Sequence, residues 1–383
     1  MTQRPAVGHI ARADVYTVDL PLRTPFQHAS SGRIDVLREV IVKLESDHGV
    51  VGWGEVRGNA HYVTGDTPGR LIAVLREALL PAVLGTPGHA PRLLQRRMAS
   101  VVVGNSGAKA AVDMAFHDLL GRALDVPVSQ LLGGAQRHEV ASDASIPFCP
   151  PDEAGALASQ YLDDGFRHLK IRVGLQPFER DVERVETVRN AIDAHPHGHE
   201  VALAVDANQS WRQKEAVARL RRLAEFDLAW AEQPVPAGDV LGLQAIRRAV
   251  DIDIMADESC GTPEDLVRLI RYEAVDRCHF KLVKAGGLQP VVSMMGIAEA
   301  AGVPYMVGQM DEGMLATAAA VHAAAVGSTP YGEVWGYQRV HEQPFDGLVV
   351  DRGRLMVPST PGLGVLVDEG ALTHVTKLEW DRR

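Results

Sequence analysis

Cysteine is nearly missing from this chain: three among 383 residues, Cys149, Cys260 and Cys278. The number is odd and no two stand in C-x-x-C spacing. That argues against a disulfide framework or a cysteine zinc cluster and fits a reducing cytoplasm. Long apolar runs are missing too, so no membrane partner is expected. The opening stretch MTQRPAVGHIARADVYTVDL has no apolar signal-peptide centre. There is no basic excess: 39 Lys and Arg against 49 Asp and Glu leave a net charge of −10. Without a basic stripe, nucleic acid is not an expected partner.

The composition is that of an ordinary globular protein, 46% hydrophobic and 23% charged. The length implies two domains, or one large barrel with an addition. Residues 10–60 alternate apolar and polar residues, in DVYTVDLPL and EVIVKLESDHGVVGWGEV. These predict antiparallel strands with a turn at SDHG. Two helical patterns come next, GRLIAVLREALLPAVLG and GAKAAVDMAFHDLLGRALDVPVSQLLGG. The second is small or apolar on more than one face and should be buried. Residues 1–135 therefore read as an α+β capping domain.

Beyond Gly134 short apolar strands alternate with amphipathic helices. The strands are FRHLKIRVG, VALAVDAN, LAWAEQPV, IDIMADES, RCHFKLVKAGG and PYMVGQMDEG. This rhythm predicts a parallel sheet, here an α/β barrel of the (β/α)₈ type over 136–345. Residues 346–383 return to short strands and are expected to pack back on the cap.

Charged residues end these strands with a period. Asp206, Glu232, Asp257 and Lys281 are spaced by 26, 25 and 24 residues. In such barrels the chemistry sits at the strand C-termini. Any one of the acids alone reads equally well as a helix N-cap. Three on neighbouring strands repel unless a cation lies between them, and hard oxygen ligands favour Mg²⁺, with Mn²⁺ as a substitute. Lys170 and Arg172 are two apart on one strand and so point the same way. A lysine near Mg²⁺ and other cations is expected to have a lowered pKa and to serve as a base. Lys284, three residues past Lys281, reads as structural.

The set KIR, VDAN, EQP, ADES and KLVKAGG resembles the enolase superfamily, in its muconate-lactonizing subgroup. LPLRTPF, YVTGDT, AAVDMAFHDLLGRALDVPVSQLLGG and PGLGV extend the likeness over nearly the whole chain. The resemblance implies Asp206, Glu232 and Asp257 as Mg²⁺ ligands, Lys281 as a catalytic lysine, and a small carboxylate substrate that loses its α-proton. It implies a homo-oligomer, a dimer or an octamer. The mandelate racemase and sugar-acid dehydratase branch would need a histidine at the strand ending VGQMDEG, and none is there. Glu312 matches a glutamate usual in the subgroup and is expected to hydrogen-bond near the site. Dipeptide epimerases of the subgroup carry Asp-x-Asp after the eighth strand. Here YGEVWGYQ offers Glu333 and Trp335 instead.

The subgroup's usual motif is Lys-x-Lys; this chain has Arg172 in the second place. An arginine acting as base at pH 7 costs roughly 7 kcal/mol or more, against little more than about 1 kcal/mol for a lysine tuned to about 8. Arg172 is therefore expected to bind and polarise, leaving Lys281 as base and favouring one-face chemistry: elimination, cycloisomerisation or dehydration. Catalysis by Arg172 or Lys170 as a second base, giving a racemase or epimerase of dipeptides or N-acyl amino acids, is the alternative. Asn208, Glu312, Glu333 and Arg33 are candidate substrate-binding residues, with Arg23 and His28 beside Arg33 on the stretch expected to cover the mouth. Two readings from other classes are a Schiff-base aldolase built on Lys281 and a degenerate barrel kept as a binding protein.

Overall fold

The computed structural model describes residues 7–381 apart from 28, 30, 175 and 176. Strands β1 (Ile10–Phe26), β2 (Ile34–Ser46) and β3 (Val51–Arg57) form an antiparallel meander. The helix Ser106–Leu124 lies on β3 with its alanine-rich faces buried. Its approach is close: a Cβ at Gly52 or Gly54 would stand 2.2 or 2.0 Å from the carbonyl oxygens of Ala115 and Ala111. Only glycine admits such backbone proximity.

Eight strands then close the barrel: β4 (Glu139–Ile146), β5 (His168–Arg172), β6 (Ala202–Asp206), β7 (Leu228–Glu232), β8 (Asp253–Ala256), β9 (Arg277–Lys281), β10 (Tyr305–Gly308) and β11 (Tyr331–Glu333). Each pairs in parallel with the next, and β11 pairs back with β4. After β11 the chain makes only the 3₁₀ turn Gly336–Arg339, so the eighth unit has no α-helix there. In the last segment β12 (Phe345–Asp346) pairs with β15 (Leu366–Val367), and β13 (Val350–Asp351) and β14 (Arg354–Met356) extend the barrel sheet at β4. Strand β16 (Thr373–Glu379) joins the cap sheet beside β1.

The strand period of two decides what fills the barrel. Ala204, Trp230, Met255 and Met306 pack together as an apolar floor. Nearer the mouth, these strands and their neighbours turn charged residues inward. Replacing buried ion networks by packed apolar residues is often neutral or stabilising. A charged interior is therefore a mark of chemistry, not of fold stability. Among the described residues no helix is long and apolar enough to cross a membrane.

Candidate active site

Strand register aligns the charged residues. Arg172 is the β-sheet partner of Asp206, and Asp206 is the partner of Glu232. Asp257 comes directly after β8, and Lys281 closes β9. The charged strand ends expected from the sequence thus lie on adjacent strands.

Lys170 is fully buried and lies 2.9 Å from Glu232, 2.7 Å from Glu333 and 3.6 Å from Asp143. Lys281 lies 2.9 Å from Asp257 and 3.2 Å from Glu333. Glu333 therefore bridges the two lysines, one on each oxygen. Lys284 sits in the short helix Leu282–Ala285 and donates to the Asp257 carboxylate and to the main-chain oxygens of Asp257 and His279. It is thus anchored on a site carboxylate and two main-chain oxygens. Arg172 donates to Asn208 Oδ1 at 3.2 Å, with Asp206 at 3.7 Å and Asp311 at 3.9 Å. Asn208 in turn donates its main-chain N–H and its side-chain amide to Asp206, at 2.8 and 3.0 Å.

Pocket-facing groups differ from buried ones. Arg172, Asn208, Asp257, Glu258, Lys281, Asp311 and Glu333 line a pocket closed from the cap by Tyr62 and Val63. Lys170 is not among its walls. It lies beneath Glu232 and Glu333.

Burial and mutual repulsion raise some of the carboxylates, while at Glu232, Asp257 and Glu333 neighbouring cations outweigh burial and hold them below their usual range. Asp206 is pushed up to about 7 by burial and by Glu232. Glu258 reaches about 8 through burial, Asp257 and Asp206, and neither of its oxygens has a hydrogen-bond partner among the described residues. Asp143 reaches about 8 through burial and Glu333. Lys281 departs from expectation. Burial pulls it down, but Asp257, Glu333 and Glu232 outweigh burial and hold its ammonium above the ordinary lysine range. Neighbouring cations alone would lower it; the carboxylates around it are more numerous. Arg172 is likewise raised, Asp206 and Asp311 outweighing burial.

Which residues suit a cation is a question of charge. Glu232, His279 and Glu333 offer ligand atoms within 4.8 Å of one another. The ammonium of Lys170, paired with both glutamates, already fills the cation's place there. Asp206, Glu232 and Asp257, with Glu258 beside them, are the set with spare acceptor capacity. Among the described residues, seven buried or half-buried carboxylates, Asp143, Asp206, Glu232, Asp257, Glu258, Asp311 and Glu333, share four cations, Lys170, Arg172, Lys281 and Lys284. The carboxylates outnumber the cations, and a divalent cation would offset that excess and favour the ionised form of the raised acids.

Other expected residues lie elsewhere. Arg33 is exposed, pairs with Asp35 and borders a separate surface cleft, so the structure does not bring it to the pocket. The carboxylate two residues away satisfies it locally. Arg23 donates to the Val340 carbonyl and lines another cleft. His28 lies outside the described residues. Trp335 packs edge-on to Tyr161 and against Phe166, at 5.9 and 5.3 Å. Asp143, Glu258, His279 and Asp311 are additions that the sequence reading lacks. Counting back by two from Lys281 reaches His279, and Glu258 stands inside ADES, so both signals are present in the pattern.

Glu312 belongs to a second buried group, between cap and barrel. It accepts from the Met310 N–H at 3.2 Å. Arg57 of β3 donates to the Met310 carbonyl at 2.7 Å and has the rings of Phe26 and Tyr62 at 5.5 and 5.9 Å. Glu55 accepts from the Ala316 N–H at 2.9 Å, in the first turn of the helix Met314–Val326. Burial raises Glu55 to about 8 and Glu312 to about 7, and Glu39, facing both, well above its usual value. A carboxyl raised in the fold stays protonated there while the unfolded chain ionises near 4.5. The stability it contributes is complete below that value and is lost as pH rises toward 8. Glu55→Gln keeps the acceptor for Ala316 and removes the titration. Its melting temperature should fall less than wild type's between pH 5 and 8, by a few degrees. Parallel curves in a thermal-melt series would show that Glu55 does not titrate in this way.

Two family models match the chain. "Mandelate racemase / muconate lactonizing enzyme, N-terminal domain" matches residues 11–133, and "Enolase C-terminal domain-like" matches residues 153–371. The N-succinyl-L-Arg/Lys racemase of Bacillus cereus is 31% identical over 368 residues, covering 96% of this chain and 98% of that one. The L-Ala-D/L-Glu epimerase of Bacillus subtilis is 34% identical, covering 93% and 96%. The structure of a dipeptide epimerase from Enterococcus faecalis, complexed with Mg and the dipeptide L-Leu-L-Tyr, superposes with a TM-score of 0.87 at 30% identity, over 93% of this chain and 99% of that one. By its sequence, its closed eight-stranded barrel and its antiparallel cap, the chain is an enzyme of the mandelate racemase and muconate lactonizing enzyme family, in the enolase superfamily.

Proposed function

We propose that this enzyme removes the proton α to the carboxylate of a small substrate, with Lys281 as the base and Arg172 as a fixed cation. One observation carries the reading. Of Lys170, Arg172, Lys281 and Lys284, the pocket is lined by Lys281 and Arg172 among the described residues. One of these is a titratable amine and the other stays charged at any working pH. Lys170 is sealed below by Glu232 and Glu333, so it supports the carboxylates and does not meet the substrate.

Asp206, Glu232 and Asp257 would hold Mg²⁺. Glu258 beside them, without a hydrogen-bond partner among the described residues, and the excess of carboxylates over cations support a divalent ion there. When bound, the ion supplies a Lewis acid for negative charge on the substrate carboxylate. The chain's own groups do the rest. Arg172, steadied by Asn208, presents its guanidinium to a carboxylate oxygen. Lys281 Nζ takes the α-proton from one face; a divalent ion on Asp257 and Glu232 would offset the carboxylates that otherwise hold its ammonium charged. Tyr62 and Val63 cover the pocket and exclude water. With one base, the product forms by isomerisation or elimination on that face. A second reading is racemisation or epimerisation of an N-acyl amino acid or dipeptide, favoured by the racemase and epimerase among the relatives. It requires Arg172 to carry a proton on the other face.

The metal site is tested by Glu232→Gln. Calorimetry should find one Mg²⁺ site in the wild type. Its affinity should fall in the variant by more than the roughly 10–100-fold typical of a residue that merely supports a ligand. Tight binding by a folded Glu232→Gln protein would remove this site from the proposal.

A further inference from the structure

Along β9, alternate residues reach from the floor of the barrel to its mouth. Arg277 pairs with Asp253 on the floor side, and Lys281 faces the pocket at the top. His279 stands between them, 0% exposed, and its register partner on β10 is Met306 of the apolar floor. An apolar side chain would have sufficed for packing there.

Polar contacts fix the ring. Its Nδ1 lies 2.8 Å from Glu232 Oε1, while Lys170 holds Glu232 Oε2 at 2.9 Å. Each oxygen of Glu232 thus has its own partner. The other nitrogen, Nε2, faces Glu333 Oε2 at 3.6 Å. The adjacent strand makes room: a Cβ at Gly308 would lie 2.1 Å from His279 Nε2 and 2.9 Å from the Glu333 Cβ. No side chain larger than hydrogen fits at position 308 while the imidazole keeps its place. A glycine within a strand marks such an approach. A carboxylate oxygen only accepts, so the 2.8 Å contact to Glu232 places an N–H on Nδ1.

We infer that His279 is a positioning residue: its Nδ1–H fixes the plane of the Glu232 carboxylate so that its remaining lone pairs face Asp206 and Asp257, and Gly308 is the space that admits the ring. This rests on the reading of Glu232 as a cation ligand. It adds that the orientation of that ligand is set from β9 and not by Lys170 alone. A carboxylate held by one partner rotates about its last bond. One held by two is fixed, and fixing a ligand before the ion arrives removes an ordering cost from binding.

Calorimetric titration of the folded, metal-stripped protein with Mg²⁺ tests it. His279→Leu keeps the volume close and removes the donor; the affinity should fall about 10–100-fold. His279→Asn places an amide N–H near the position of Nδ1 and should restore affinity to within about threefold of wild type. Gly308→Ala, whose Cβ would crowd both His279 Nε2 and the Glu333 Cβ, should weaken Mg²⁺ in the wild-type background. Circular dichroism and thermal melts confirm folding, and His279→Asn keeps the test open if His279→Leu does not fold. Wild-type affinity in His279→Leu, or an Asn variant as weak as Leu, overturns the inference. If Glu232→Gln itself retains tight Mg²⁺ binding, the underlying site assignment fails instead, and the two failures are distinct.

Discussion

Lys281→Ala protein will bind Mg²⁺ and fold, yet exchange the α-proton of its substrate slower by about 10³-fold or more. The size reflects what a positioned base contributes, roughly 10²–10⁴-fold, with no other titratable amine among the described residues of the pocket wall to replace it. The fold should survive because each carboxylate that loses Lys281 keeps another cation. Asp257 retains Lys284, and Glu333 retains Lys170 at 2.7 Å. Neither direct partner of Lys281 is left without a cation, and a partner left unpaired is the usual origin of large losses when an ion pair is broken. Solvent deuterium exchange into a panel of N-acyl amino acids, dipeptides and hydroxy acids measures the effect. Near-normal exchange in Lys281→Ala would transfer the base to another group. Exchange lost together with Mg²⁺ binding would make Lys281 structural.

Arg172→Lys should produce the opposite kind of change, a gain. Wild-type protein is expected to exchange the α-proton of one enantiomer. In the variant, substrate binding and turnover of the native reaction should weaken, because the ammonium cannot offer the planar fork that guanidinium presents to a carboxylate. Exchange on the second face should appear. Deprotonating arginine at pH 7 costs roughly 7 kcal/mol or more, and a lysine tuned to about 8 little more than about 1 kcal/mol. The difference corresponds to at least about four powers of ten in rate. Its surroundings make the arginine a still poorer base, since Asp206 and Asp311 hold the guanidinium charged against the effect of burial. Deuterium incorporation tracked separately for each enantiomer decides the matter. Comparable exchange of both enantiomers by wild-type protein would mean that Arg172 does carry a proton, and the racemase reading would stand in place of the one-face reading.

Much of this molecule is legible in one dimension. Strand period, helix period and the 24–26-residue spacing of charged strand ends are local properties, and they specify a parallel barrel with acids and a lysine on adjacent strands. The KIR, VDAN, EQP, ADES and KLVKAGG segments are enough to reach the family. Arg172 in place of a lysine is visible as a departure, and its chemical consequence comes from guanidinium basicity alone. Distances between side chains are another matter. Whether Lys170 meets the substrate or lies beneath two glutamates depends on how eight strands tilt and which rotamers fit. Cations near Lys281 would lower it, but the carboxylates converging on it from the ends of β8 and β11 outweigh them, and strands far apart in sequence supply those carboxylates. Arg33 shares the cap with Tyr62, yet pairing with Asp35 holds it at the surface while Tyr62 reaches the pocket. His279 and Gly308 are unremarkable as letters. Their meaning is one contact across neighbouring strands, a ring nitrogen on β9 filling the space where β10 has no Cβ, and only the pairing of those strands creates it. Residue types and their period determined which chemistry was possible; close packing, which converts strand order into ångströms, decided which groups perform it.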